Sequence, residues 1–563
     1  MKELFNYKNV KNNPKTSTFD TSSMISLTAK PGELLPVYWD FMMPGDKTQI
    51  NLKHFTRTRP VSSPAFAQMK EYFDVFFVPA RLIWRNFPAS ITQMTNASVY
   101  AQSEGANSPV PLNHPSITSK VLFGNNATNI ASASPKSVYE TLMVHDNSIK
   151  NHAGFHRPTQ FLKLAHLLGY GPENIPVNDE DFEKSKAGQV NHYTANSTMN
   201  LYPFCVYQKI YQDHFRNSQW ERSNPSTYNL DYNMTGVPYK LPVYTDAYWR
   251  NNTMFDMQYA NYEKDMFFGL LPNSQYGAEA SLNMDIHGTL EKVSEGTDSM
   301  VPTDDGLNKL TSTMSILKFR HMQFLQKWKE IAQSGSTDYR TQVQKHLGVT
   351  IPEELGFRSK YVGGTSNFID INEVVNTALD NKNEATLKGK AVGTNNGDYI
   401  NFEAPDYGYI MIIYHCKPLI QYGTSGINGK LLATNSQDFP IPELDSIGLE
   451  SVPQIKLTQK GTFTRLLGYA SRYIDYKTNI DRVTCDFLYT TPNWNLMLTD
   501  EDLSTLLSGS SFSYINFIKI NPKIVDDLFG TDADSYMSSD QLLINANLDM
   551  KITRHLDYNG MPY

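Results

Sequence analysis

At both ends of the chain, apolar and polar positions alternate with a period of two. In SMISLTA (Ser23–Ala29), Ile25, Leu27 and Ala29 fall on one face and Met24, Ser26 and Thr28 on the other. In the next segment Leu35, Val37, Trp39, Phe41 and Met43 share a side. Pro44-Gly45-Asp46 then supplies a turn, and Ile50 and Leu52 resume the alternation against Asn51 and Lys53. MKEYFDVFFVP (Met69–Pro79) carries Phe73, Val75 and Phe77 on one face and Phe76 and Val78 on the other, the pattern of a strand covered on both sides. A two-residue period is the signature of a pleated strand. Four such strands joined by turns, with no long helix between them, predict an antiparallel sheet.

The period changes in the middle of the chain. Phe161, Leu164, Ala165 and Leu168 share one face of a predicted helix, with Thr159 placed to cap its start and Gly169 to end it. A second helix is predicted over Tyr207–Phe215, with Tyr207, Ile210, Tyr211 and His214 at helical spacing. The clearest is Ser315–Ala332: Leu317, His321, Phe324, Trp328 and Ile331 form an apolar stripe, while Lys318, Gln326, Lys329 and Glu330 face away. Thr95–Asn151, Ala278–Ser312 and Asp380–Asn396 are polar and read as insertions.

Strands then return. Tyr407–Cys416 is a nearly continuous apolar run, Ile455–Leu466 reads as one strand, and the last segment alternates without a break. In that last segment Leu542, Ile544, Ala546, Leu548, Met550 and Ile552 face away from Leu543, Asn545, Asn547, Asp549, Lys551 and Thr553. Strands at both ends with helices and long loops between them suit one β-sandwich with swollen connections. No internal repeat or linker divides the chain.

Composition narrows the class. Charged residues make up 19%, aromatic residues 12%, and there are 33 Tyr and 30 Pro, which suits a loop-rich β protein with wide contact surfaces. The formal net charge of −7 excludes a uniformly basic surface but not a basic face. Cys205, Cys416 and Cys485 are odd in number and far apart, which argues against a disulfide framework and for a reducing compartment. The first residues, MKELFNYKNVKNNP, show no secretory pattern, and no run is long and apolar enough for a membrane helix.

Candidate chemistry is sparse. His145, His152 and His156 cluster, but Gly154 and Pro158 interrupt them and a polar surface loop is the simpler reading. Asp179-Glu180-Asp181 and Asp500-Glu501-Asp502 lack the spacing of a calcium loop and read as turns or helix starts. Glu443 and Asp445 are a carboxylate pair of a kind any long chain offers. His321 reads as a core or interface residue. No catalytic, cofactor-binding or metal-binding residue is assigned.

Cations interleaved with aromatic rings hold single-stranded nucleic acid, through phosphates and bases respectively. That pattern occurs in Lys53-His54-Phe55-Thr56-Arg57-Thr58-Arg59 and at Arg472-Tyr473, and the N-terminal arm carries Lys2, Lys8, Lys11 and Lys15. The residues expected to face nucleic acid are Lys8, Lys11, Lys15, Arg57 and Arg59. The competing reading is a solvated arm, a strand end and interface salt bridges.

Between Asp438 and Phe487 lies the most distinctive string. It holds Pro442, Glu443, Asp445, Ser446, Ile447 and Gly448, and further on Leu467-Gly468-Tyr469, Arg472-Tyr473, Asp475-Tyr476-Lys477-Thr478 and Asp481. These residues resemble a segment of the major capsid proteins of microviruses (gokushovirus- and alpavirus-like), small bacteriophages with circular single-stranded DNA. FFVPARLIWRNF (Phe76–Phe87), YQKIYQDHFRNSQW (Tyr207–Trp220), YANYEKDMFFGLLPNSQYG (Tyr259–Gly277), YVGGTSNFIDINEVVNT (Tyr361–Thr377) and YNGMPY (Tyr558–Tyr563) resemble further blocks of that family in the same order. The middle blocks look closest to the branch associated with Bacteroidetes hosts.

The resemblance implies a mainly β fold: an eight-stranded antiparallel jelly roll with long insertions containing several α-helices. It implies one capsid domain, divided into an N-terminal arm (1–20), N-terminal barrel strands (21–94), long insertions with helices (95–360) and C-terminal barrel strands (361–563). It further implies a homo-oligomeric icosahedral shell around the DNA genome, assembled in the bacterial cytoplasm without a cofactor, an enzymatic activity or a membrane. Partners would include scaffolding, minor spike or pilot proteins of the same virus and a host surface receptor. The alternative is an exported carbohydrate-binding or glycan-degrading β-sandwich, against which the missing export signal counts.

Overall fold

A computed structural model describes residues 14–61, 65–92, 114–123, 137–139, 141–142, 157–171, 197–233, 253–277, 316–352, 356–375, 387–395, 399–460, 465–508, 511–529 and 540–559. The period-two segments, joined by Lys360–Val375, Leu387–Asn395 and Tyr399–Glu403, form a ten-stranded sheet in which every pairing is antiparallel; Leu387–Asn395 lies within Asp380–Asn396, which reads as an insertion in the sequence. Its strands are β1 (Ser17–Asp20), β2 (Ser23–Ala29), β3 (Leu35–Met42), β4 (Lys47–Thr58), β5 (Gln68–Pro79), β6 (Lys360–Val375), β7 (Leu387–Asn395), β8 (Tyr399–Glu403), β9 (Gly408–Pro418) and β10 (Leu542–Arg554). First and last strands meet: β1 and β2 lie end to end along β10, with Ser17 opposite Arg554 and Ala29 opposite Leu542.

The pairing divides into two groups. In one, β1 and β2 flank β10, β10 lies on β4, and β8 and β7 share the other edge of β4. The other runs β6-β5-β9-β3. β7 joins them, because the backbone of Val392 is registered with Arg57 of β4 and with Asp370 of β6. Their inner faces meet: the Phe77 and Phe402 rings lie 5.1 Å apart, and those of His54 and Phe73 lie 4.6 Å apart. The alternation of β10 explains this arrangement. Leu542, Ile544, Ala546, Leu548, Met550 and Ile552 are all buried, while Leu543, Asn545, Asn547 and Lys551 are exposed.

β4 runs further than the alternation of Ile50 and Leu52 suggested, and its second half buries polar groups. His54 Nε2 lies 2.9 Å from Glu71 Oε1, and Thr56 Oγ1 donates to Glu71 Oε2 at 2.7 Å. Tyr414 on β9 donates to the same carboxylate at 3.4 Å. The side chains of His54 and Glu71 are wholly shielded from solvent. Gly393 of β7 passes so close that a Cβ there would stand 2.7 Å from Glu71 Oε1.

β3 departs from strict alternation. Its pairing with β9 slips between Ile412 and Ile413, so Val37 is bulged out of register. As a result Met42, and not Phe41, is the fully buried residue at its end.

Three long helices occur where the 3.6-residue period predicted them, with shifted ends and different surroundings. α1 (Arg157–Leu167) starts ahead of Thr159, which is therefore not its cap; Pro158 occupies its first turn, and Gly169, at φ +84°, ends it. α2 (Tyr202–Ile210) continues as a wider turn over Tyr211–Phe215 and is buried on every side. It lies across the outer face of β5 and β9, with Tyr202 stacked on Tyr409 at 5.6 Å and Phe215 5.7 Å from Phe76. That cover explains why β5 and β9 are apolar on both faces.

α3 (Ile316–Gln333) corrects an expectation. Its apolar stripe stands in solvent, with Leu317, Phe324, Trp328 and His321 all exposed, so His321 is not a core residue of the subunit. α4 (Tyr339–Leu347) packs against it, with His346 6.1 Å from Trp328. The single strand expected over Ile455–Leu466 is also not formed. Gln454–Lys456 is a 3₁₀ turn, and the strand starts at Leu466, pairing Leu466–Ser471 with Leu449–Pro453. Local alternation loses there to tertiary contacts: Lys456 turns inward to pair with Asp475, and Thr458 donates to Asp500 at 2.7 Å.

Two consequences can be measured. Glu71→Ala strands His54, Thr56 and Tyr414 around a vacated space and is expected to cost about 3–5 kcal/mol in a denaturant titration, with Glu71→Gln costing less. The second concerns His415, which lies 3.0 Å from Asp74 Oδ2 between the rings of Tyr72 and Phe215. Burial holds its pKa below the ordinary value, outweighing the bond from Asp74. The folded chain therefore binds fewer protons at this site than the unfolded one. Stability from this site is complete above about pH 6.5 and declines as pH falls through that value. His415→Phe is expected to flatten the fall in melting temperature below pH 6.5.

Candidate assembly and nucleic-acid surfaces

Because His54 and Thr56 point inward, their neighbours Lys53, Phe55 and Arg57 must point outward. The Arg57 guanidinium stacks 4.8 Å from the Phe55 ring centroid. Register places Leu543 opposite Arg57, Asn545 opposite Phe55 and Asn547 opposite Lys53. Across the other edge, exposed Tyr399 of β8 lies opposite Asn51. The outer face of this layer therefore combines two cations, two aromatic rings and a row of asparagines. Asn545, Asn547 and Tyr399 escaped notice in the sequence because only strand register brings them beside Arg57.

The other expected residues do not gather there. Arg59 leaves the strand, its Nε donating to Asp540 O at 2.8 Å and its backbone N–H to Gln541 O at 2.9 Å. Behind this anchor Lys163 of α1 lies between Glu33 Oε2 at 2.6 Å and Asp540 Oδ2 at 2.9 Å. Burial pulls the Lys163 pKa down, but the two carboxylates outweigh it and hold it above the ordinary lysine value. Burial pushes Asp540 up, and Lys163 with Thr28 brings it below the usual carboxylate value. Arg59 is thus tied into a structural network. Lys15 sits at the opposite end of β10 and donates to Asp557 Oδ2 at 3.1 Å. Lys8 and Lys11 lie outside the described residues.

The distinctive string from Asp438 to Phe487 folds as short turns wrapped around a hairpin. Asp438 accepts the Thr434 and Asn435 backbone N–H groups at 3.0 and 2.8 Å, which holds its carboxyl below the usual range. Tyr473 adopts a left-handed backbone (φ 59°), and its hydroxyl donates to Gln437 O at 3.1 Å. Asp445, exposed like Glu443, pairs with Lys477 at 2.6 Å. A cavity of about 180 Å³ lies between the Ile427–Gly429 turn and the segment from Asp475 to Arg482. Its buried Lys456 and Asp475 neutralise each other. Much of the string's apolar content is displayed to solvent, Phe439 and Ile447 included.

The metal candidates resolve into turns where they can be seen. Asp500 accepts from Thr458 Oγ1, and Asp502 Oδ2 accepts the Thr499 backbone N–H at 2.9 Å at the start of a short helix. Among the described residues no three His, Cys, Asp or Glu side chains are grouped to hold a metal ion. His145, His152, His156 and Asp179–Asp181 lie outside the described residues. Cys205, Cys416 and Cys485 are free thiols. No helix among the described residues is long and apolar enough to cross a membrane. The arrangement offers broad contact surfaces.

Comparison with known proteins agrees with that character. The profile of the family described as "Capsid protein (F protein)" matches residues 8–119 and 183–497. The chain belongs to this capsid protein family. The capsid chain is also similar to Capsid protein VP1 of Chlamydia phage 1, 20% identical over 551 residues that cover 87% of this chain and 88% of that one. It is similar as well to Capsid protein VP1 of Bdellovibrio phage phiMH2K, 20% identical over 493 residues covering 82% and 80%. The matched blocks take in β1 to β9 and the string from Asp438 to Phe487.

Proposed function

We infer that the chain is the major capsid subunit of a microvirus, assembling in many copies into a small icosahedral shell around circular single-stranded DNA. The carrying observation is the family match, which spans most of the chain and both groups of strands. The pairing order supports an eight-stranded jelly roll. With β1 and β2 counted as one strand, and β7 and β8 as another, two four-stranded sheets result: β1/β2-β10-β4-β7/β8 and β3-β9-β5-β6. The chain is then one capsid domain, with its barrel strands and insertions divided at 94 and 360 and β1 (Ser17–Asp20) joining the barrel from the arm expected over 1–20.

The subunit acts by contact alone and catalyses no step. Its wall is the sandwich, and its insertions meet neighbouring copies, scaffolding, spike or pilot proteins and the host receptor. Assembly takes place in the host cytoplasm. The genome meets the cationic groups Lys8, Lys11, Lys15, Arg57 and Arg59. Of these, Arg57 has the best support, because it shares an exposed sheet face with Lys53, Phe55 and Tyr399. The glycan-binding alternative draws no support from the relatives, which are named as capsid proteins.

Electron microscopy of the nuclease-treated recombinant chain, alone and co-expressed with the virus's own scaffold and genome, tests the assembly reading. Uniform shells or subunit rings are expected; monomers under every condition overturn it. For the nucleic-acid face, Arg57→Ala is expected to weaken binding of a single-stranded oligonucleotide several-fold. It should also reduce the slope of log affinity against log salt by roughly 0.7, the value for one lost phosphate contact on a single strand. An unchanged slope removes Arg57 from the interface.

A further inference from the structure

The least accounted-for feature of the subunit is α3. An 18-residue helix is about 27 Å long, and its C-terminal half is hydrogen-bonded to the body of the subunit. Gln326 Nε2 donates to Gln275 Oε1 at 2.5 Å, Tyr276 N–H to Lys329 O at 3.3 Å, and Gln333 Nε2 to Gln219 Oε1 at 3.1 Å. Towards its N-terminus the helix is exposed on all sides. Ile316 is 73% exposed, Leu317 78%, Phe319 52%, Phe324 67% and Trp328 52%, and Leu347 of α4, next to His346 under Trp328, is 71% exposed.

These are amounts expected of an interface and not of a free surface. Aromatic side chains bury roughly 150–250 Å² each when covered. Phe319 lies on the far side of the helix, and the other five together display on the order of 500–750 Å² of apolar area. The largest patch of a typical monomer is about 300–600 Å², whereas one side of a stable protein interface buries about 800 Å².

Resting on the capsid reading, we propose that the apolar stripe of α3, with Leu347, docks on a second copy of this chain in a head-to-tail contact. Charge sets the geometry. Arg320 and Lys327 flank the stripe, and no acidic residue of the helix lies beside it. Two such helices laid face to face would bring like charges together. The chain as a whole is formally −7, so the surface beyond α3 is more acidic still and complements the helix. A helix meeting a different surface of the next copy is a heterologous contact, which builds a ring when its rotation closes. Ile316, Leu317 and Leu347 suit this partner better than nucleic acid, because aliphatic side chains neither stack on bases nor bind phosphate.

The test is sedimentation velocity of the nuclease-treated full chain over a concentration series, comparing wild type, Phe324→Glu/Trp328→Glu and Arg320→Glu/Lys327→Glu. Because the stripe is solvent-exposed within the subunit, the first variant is expected to melt as the wild type does. It should also need at least tenfold higher concentration to associate. The charge variant is expected to associate more weakly, with a smaller salt dependence. Association of both variants at wild-type concentrations overturns the proposal and leaves the capsid reading intact. A wild type that never associates, even with scaffold and genome, overturns both. Wild-type association that vanishes on nuclease treatment, or is replaced by binding to anionic vesicles, assigns the stripe to nucleic acid or to a membrane surface and overturns the docking of a second copy.

Discussion

The carboxylate of Glu71 sits between the two layers of the sandwich, where no water reaches it, and the layers must bring it partners. They do so from four strands: β5 supplies the carboxylate, β4 the His54 ring and the Thr56 hydroxyl, β9 the Tyr414 hydroxyl, and β7 a glycine small enough to pass. A buried acceptor without donors costs more than most single apolar contacts contribute. The cluster therefore restricts how the two sheets can slide. A slip of one residue in β4 would turn Lys53 and Phe55 inward and leave the carboxylate unmet. The same register that brings His54 and Thr56 inward holds Arg57 on the outer face.

Burial on the remaining surfaces follows from what each helix has to cover. α2 is buried all round because β5 and β9 lie beneath it and other parts of the subunit above. That double cover is why the chain can carry FFV in β5 and YIMII in β9 without exposing them. α3 is made of similar residue types, yet the subunit leaves its stripe bare. Identical periodicity thus has two outcomes, set by whether another element lies within reach.

Function in such a chain is spread over surfaces. The charged groups buried in the described interior meet partners of their own: Lys163 lies between Glu33 and Asp540, and Lys456 against Asp475. The perturbed groups are explained by packing, as where burial against Tyr72 and Phe215 lowers the pKa of His415. What remains outward is area, charge and exposed rings, the materials of subunit contact and of genome contact.

Alternation by itself determined the strands of both chain ends, the antiparallel sheet and the double-sided burial of β5 and β9, because a period of two leaves a pleated strand one way to face a core. The ordered blocks from Phe76 to Tyr558 were enough to indicate the capsid family. Other features depended on contacts distant in sequence. Bulging of Val37 moved burial from Phe41 to Met42, and Lys456 was drawn to Asp475, which cancelled the strand read over Ile455–Leu466. Arg59 was captured by Asp540 while Arg57 was left beside Phe55, although the two lie two residues apart in the same basic run. Most of all, the stripe of α3 reads as a core face at every scale the sequence offers. Period and hydrophobicity specify that a face must be covered, and only the tertiary structure decides whether the cover belongs to the same chain.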